Sequence, residues 1–132
     1  MSNKKGFTLV EIMIVVAIIA LLAAIAIPNL LRAKVSANDA LAQSTIRTLS
    51  TASETFATAN NGSYPANEAA LTAPAAGPAY VNRAYCGQDI SGFTYACTWG
   101  TAGYTFVATP DSAQTGGATY TMTTGGILTH NP

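Results

Sequence analysis

Every position from Ile12 to Ile27 is apolar, and between Phe7 and Leu31 the only interruptions are Thr8, Glu11, Pro28 and Asn29. A helix over Phe7 to Leu31 rises about 37 Å, more than the roughly 30 Å of hydrocarbon in a bilayer, so the segment can span a membrane. Apolar side chains all round leave no wet face, which argues against a core helix of a soluble domain. Beyond Pro28 the pattern changes. Leu31, Val35, Ala42, Ile46, Leu49, Ser53 and Phe56 follow three- and four-residue steps, with Arg32, Lys34, Asp39, Arg47 and Glu54 between them, as in a half-buried helix. Pro28 removes one backbone donor and kinks a helix without necessarily ending it. The first stop signal is Asn60-Asn61-Gly62, so the pattern predicts one helix of about 80 Å from about Phe7 to about Ala59.

From Gly62 to Gly92 the chain is punctuated by Tyr64-Pro65, Ala73-Pro74, Gly77-Pro78 and Gly87, with room for a helical turn at Asn67 to Leu71. Strand patterns follow at Phe93 to Trp99, Tyr104 to Thr109, Ala118 to Thr124 and Ile127 to Thr129, rich in Thr, Tyr, Phe and Val and separated by turn residues. They predict an antiparallel meander of three or four strands across residues 93–130. So small a sheet needs a cover, and the amphipathic half of the helix supplies it. The expected fold class is α+β.

Composition narrows the chemistry. Of 132 residues, 9% are charged, against about 25% in an average globular protein, and six basic and six acidic side chains cancel. No basic cluster exists beyond Lys4 and Lys5, so the footprint of a nucleic-acid binder is absent. Cys86 and Cys97 admit a single pairing, and behind a membrane-passing N-terminus they read as one disulfide, a structural staple closing a short loop. The single histidine, His130, and two cysteines are too few for a zinc site, and no cofactor motif is present. Asp39, Glu54, Glu68, Asp89 and Asp111 are scattered without the pairing acid–base catalysis needs, so each is expected to be solvated or to cap a helix, and no enzyme is indicated. Asn61-Gly62-Ser63 fits a glycosylation sequon but is first a turn signal. The aromatic side chains read as core and sheet packing.

Two readings of the N-terminus compete. Met1 to Lys5 is a basic start and Ala24-Ile25-Ala26 has the form of a signal-peptidase site, as in a secreted monomeric binding module whose mature chain starts at Ile27. A carboxylate at Glu11 is foreign to such a signal. Instead, Gly6 followed by Phe7-Thr8-Leu9-Val10-Glu11, after a six-residue basic leader and before a long apolar helix, resembles the prepilin signal of type IV pilins and of the pseudopilins of type II secretion. The close match covers about the first 40 residues.

That resemblance implies a leader at 1–6, a transmembrane and filament-core helix at 7–31, and a globular domain at 32–132. It implies cleavage between Gly6 and Phe7 by prepilin peptidase, N-methylation of Phe7, residence in the bacterial inner membrane, and polymerisation by the pilus assembly machinery into a helical homo-oligomer outside the cell. Glu11 would face a neighbour's Phe7 ammonium and set the register of an arriving subunit, since a wrong register leaves a charge unpaired. Pro28 goes either with loss of helical order on assembly or with a simple kink. The expected function is the structural subunit of a type IV pilus, serving adhesion, motility or DNA uptake. A type II secretion pseudopilin is the alternative, although pseudopilins often carry a C-terminal calcium site, for which Asp89 and Asp111 offer no carboxylate cluster.

Overall fold

A computed structural model describes residues 6–132. One α-helix, α1, runs Leu9–Ala59 and passes through Pro28. It ends where Asn61 and Gly62 adopt left-handed backbone at φ 55° and 85°, and the Gly62 N–H closes onto the Ala57 carbonyl at 2.8 Å. This 6→1 bond satisfies a carbonyl that a helix end would otherwise leave bare. The Asn-Gly pair thus acts as the predicted stop.

A short helix, α2 (Ala69–Thr72), follows in the irregular region. Five strands complete the chain: β1 (Asp89–Ile90), β2 (Phe93–Gly100), β3 (Gly103–Pro110), β4 (Thr119–Thr123) and β5 (Ile127–Asn131). They pair antiparallel in sequence order. The sheet therefore has one strand more than the three or four expected. The addition is β1, inside the segment read as loop, where two residues pair with Thr94 and Phe93. Such a strand carries no alternation to read. It exists because Ser91 and Gly92 both take positive φ, 55° and 75°, the backbone of a tight two-residue hairpin turn.

Contacts divide the chain into two units, one ending at Ala33 and the other running Lys34–Pro132. The second unit has a conventional core. Ala42, Ile46 and Leu49 of α1 lie among Phe93, Tyr95, Tyr104, Phe106, Tyr120 and Met122 of the sheet. Alternation puts these aromatics on one face of each strand while Thr94, Thr98, Thr105 and Thr121 take the other. Small residues on the helix leave room for the rings: Thr45, Ser50, Ala52, Ser53 and Ala57 are buried as well. Two of these hydroxyls are satisfied locally, Ser53 Oγ donating to the Leu49 carbonyl at 2.8 Å and Thr45 Oγ1 to that of Leu41 at 2.9 Å, while Ser50 Oγ meets the Tyr104 hydroxyl at 2.7 Å. Gly116 admits the ring of Phe93, which would meet a Cβ there at 2.2 Å. Of the helix positions picked by periodicity, Leu31 is exposed and Phe56 packs in a second cluster around Ala52, Leu71 and Val81.

Three carboxylates expected to be solvated or capping instead tie distant segments together. Asp39 Oδ1 accepts from Gly117 N at 2.9 Å. Glu68 accepts the backbone N–H groups of Tyr85 and Cys86, fixing the loop ahead of the disulfide. Glu54 accepts from the Tyr104 hydroxyl and Gly125 N, both at 2.8 Å, and from the Tyr64 hydroxyl at 3.0 Å, so one side chain joins α1, the loop after it, β3 and the β4–β5 turn. Burial pushes its titration up, but the Gly125 N–H and the two phenols outweigh this and hold the carboxyl below the ordinary glutamate range. The partner phenol of Tyr104 is pushed up to about 12, first by burial, with Ser50 opposing and Glu54 adding.

A carboxyl with a depressed native pKa contributes stability that is complete above the unfolded value and disappears as pH falls through the folded one. Thermal melts from about pH 6 to pH 2 are thus expected to lose Tm more steeply in the native chain than in Glu54→Gln, by no more than about 1 kcal/mol because solvent reaches the carboxyl. Parallel slopes would show the carboxyl uncoupled from folding. Replacing both Cys86 and Cys97 by Ala is expected to cost about 3 kcal/mol in denaturant titrations, from the short loop they close.

Candidate functional site at the N-terminal segment

The first turn of α1 is built by two side chains. Thr8 stands just ahead of Leu9, at the N-cap, and its Oγ1 accepts from Glu11 N at 3.2 Å. Glu11, three residues on, reaches back so that Oε2 accepts from Thr8 N at 2.7 Å and from the Thr8 hydroxyl at 2.8 Å. This reciprocal pattern is a capping box, which occupies donors that a helix start leaves without intrahelical partners. It also places a carboxylate at the positive end of the helix dipole. Reading Glu11 only for membrane cost and partner pairing missed this local role, although Thr-x-x-Glu before an apolar run is itself the signal. Both bonds from Thr8 fall on Oε2. Among the described residues, Oε1 has no partner.

From this turn to Leu31 none of the described residues covers the helix. Every large apolar side chain from Phe7 to Leu31 is more than half exposed, Phe7 reaching 88%. The most apolar window of α1 has mean hydropathy 3.0 with no share buried. Against the few hundred Å² of contiguous apolar surface usual on soluble monomers, so long a bare stretch marks a surface made for lipid or protein. Pro28 sits inside the helix, where its missing N–H leaves the Ala24 carbonyl without its usual donor.

Gly6 is exposed, and a Cβ added to it would meet nothing within 4 Å. Its backbone is not among the left-handed residues. The fold therefore has no need of glycine at position 6, nor of the unpacked ring at Phe7. Cys86 and Cys97 form the expected disulfide, Cα–Cα 5.6 Å, joining the loop before β1 to β2. It lies in the second unit, apart in sequence from the N-terminal segment. Among the described residues no three His, Cys, Asp or Glu side chains gather as a metal site.

The family described as the prokaryotic N-terminal methylation motif matches residues 1–27. The chain is 41% identical over 113 residues to the type IV wide pilus major component PilA4 of Thermus thermophilus, covering 84% of this chain and 86% of the relative. It is 46% identical over 54 residues to the type IV major pilin protein PilA of Myxococcus xanthus, 41% of this chain and 24% of the relative. It is 39% identical over 71 residues to the type II secretion system core protein G of Pectobacterium carotovorum, 54% of this chain and 45% of the relative. No solved structure matches.

The capping box separates the two roles open to Glu11. Thr8→Ala removes the cap, and amide exchange in the first turn, measured in detergent micelles, is expected to speed up about fivefold. Glu11→Ala has a similar effect. Glu11→Gln leaves exchange close to native, because glutamine serves at the third position of a capping box.

Proposed function

The chain belongs to the type IV pilin family, and from that membership we propose that it is a filament subunit: made as a prepilin, cut between Gly6 and Phe7 by prepilin peptidase, N-methylated at Phe7, and polymerised through residues 7–31 into a bacterial surface pilus. In this account residues 1–6 are the leader, 7–31 lie in the inner membrane before assembly and in the filament core after it, and 32–132 form the globular domain.

The observation that carries the proposal is the uncovered apolar helix directly behind a glycine that the fold does not require. Bare apolar surface must be held in lipid or by other protein. A chain exported in many copies can supply its own cover, each helix lying against the same segment of its neighbours. Moving from lipid to such a bundle gains little from hydrophobicity, since both surroundings are apolar, so packing and polar pairing decide the arrangement. Cleavage would put a new ammonium on Phe7, and Glu11 would meet it with Oε1, the carboxylate oxygen left free by the capping box. A subunit seated out of register would leave both charges unpaired in a dry core. Pro28 would serve as the place where the helix gives way or bends on packing, its weakened hydrogen-bond ladder costing less to open than any other turn.

The 39% identity over 71 residues to the type II secretion core protein G supports a second reading, a pseudopilin of the secretion apparatus. The coverage of PilA4 over most of both chains favours the pilus.

Mass analysis of mature protein is expected to find an N-terminus at methylated Phe7; a start at Ile27 would place the chain with secreted modules. Deletion is expected to remove surface filaments with secretion intact, and the reverse outcome would identify a pseudopilin. Glu11→Gln, which keeps the cap and removes the charge, is expected to be cleaved and membrane-inserted yet to yield few filaments. Filaments in normal number would refute charge-guided registration.

A further inference from the structure

The aromatic side chains of the second unit are arranged more specifically than packing requires. Trp99, the single tryptophan of the chain, is partly exposed and lies opposite Tyr104 across the β2–β3 pairing. Its ring centroid is 4.9 Å from Phe106, which stacks on Tyr104 at 4.7 Å and an interplanar angle of 16°. Tyr104 in turn meets Tyr64 edge-on at 5.6 Å. At the far end of this series both phenol protons point at one carboxylate, Tyr104 donating to Glu54 Oε1 and Tyr64 to Oε2. Because the only proton of Tyr104 faces Glu54, the 2.7 Å contact with Ser50 has the serine hydroxyl as donor. Phenylalanine would fill either tyrosine site equally well for packing. Tyr95, deeper in the core, shows the contrast, since its hydroxyl has no hydrogen-bond partner among the described residues.

We propose that Trp99, Tyr104 and Tyr64, with Glu54 as shared proton acceptor, form a relay that moves an oxidising equivalent from the indole to the tyrosine pair. A one-electron oxidant from solution removes an electron from the Trp99 indole and leaves its radical cation. Tyr104 then passes an electron to Trp99 and restores the indole. As it does so, the Tyr104 O–H bond breaks and the proton moves along the existing hydrogen bond to Glu54 Oε1. The products are a neutral tyrosyl radical, a protonated Glu54 and intact Trp99. The radical moves to Tyr64 by a second exchange in which Tyr64 gives an electron to Tyr104 and a proton to Oε2, while Oε1 returns its proton to the Tyr104 oxygen. Glu54 thus stays singly protonated, and no charge accumulates.

Phe106 carries no charge in this scheme; its ring lies against both Trp99 and Tyr104, which face each other across the β2–β3 pairing. The relay draws the oxidising equivalent away from Trp99, two residues along β2 from the Cys86–Cys97 disulfide. It delivers it to Tyr64, a half-buried side chain within reach of small reductants. None of this depends on filament assembly.

The test is pulse radiolysis of the full chain in detergent micelles at neutral pH, with the azide radical as the tryptophan-selective oxidant. Absorption of the tryptophan radical is expected to decay as that of a tyrosyl radical rises, at one rate independent of protein concentration and slowed in D2O. Tyr104→Phe removes the first acceptor and Glu54→Gln keeps the side-chain shape without the base; each is expected to slow the transfer about a hundredfold, the usual contribution of a positioned proton acceptor. Tyr64→Phe is expected to leave that rate unchanged and alter only the lifetime of the tyrosyl radical. Near-UV circular dichroism establishes that each variant is folded, and the solvent isotope effect on the native chain reports the same proton step without any substitution. No tyrosyl rise in the native chain, no isotope effect, or native rates in folded Tyr104→Phe and Glu54→Gln would overturn the relay.

Discussion

Water cannot accommodate the side chains of Ile12 to Ile27, and none of the described residues covers them. This constraint orders the rest of the molecule. In the proposed account a membrane receives the segment first and the filament receives it next, since an apolar surface that leaves lipid needs an apolar surface to enter. Because that exchange is nearly neutral in hydrophobic terms, the few polar features of the segment acquire weight. Thr8 and Glu11 settle the helix start between themselves and still leave one carboxylate oxygen free. The capping box satisfies the first turn within a single chain, and in the proposed account the remaining oxygen makes the directed contact.

The second half of the same helix meets a different requirement. Large aromatic side chains crowd the inner face of the sheet, so the helix offers Ala, Ser and Thr together with Ile46 and Leu49. The buried hydroxyls of Thr45 and Ser53 turn back to carbonyls one turn earlier and so cost little to bury. With few charges available, the domain uses carboxylates as acceptors for backbone and phenol donors. Glu54, Glu68 and Asp39 each reach a segment far off in sequence and hold a loop or turn that Gly and Pro composition would leave loose.

What could be read from the sequence follows from the range of each signal. The span of α1 was legible because an unbroken apolar run, a three- and four-residue rhythm and an Asn-Gly stop are all local. The strands were legible because Thr alternates with aromatic residues over five to eight positions. The two-residue β1 offers no period and depends on Ser91-Gly92, a turn weaker in the text than Asn-Gly. The pairing of Cys86 with Cys97 followed from there being only two cysteines. Glu54 was opaque for the opposite reason: its partners lie 10, 50 and 71 residues away, and no spacing rule connects them. The capping box at Thr8 is local and written as Thr-x-x-Glu, but the cost of a carboxylate beside lipid points equally to a partner outside the chain and masks the local role.

The claim at the centre of this account is that residues 7–31 pass from lipid to copies of themselves, and spin labelling reports on it most directly. A nitroxide attached at Ile18→Cys, in the middle of the apolar run, is diluted and uncoupled when the chain is in micelles. In purified filaments free of lipid, the account predicts strong dipolar broadening from labels on neighbouring subunits and little access to water-soluble relaxation agents. A narrow, uncoupled spectrum open to those agents would contradict it.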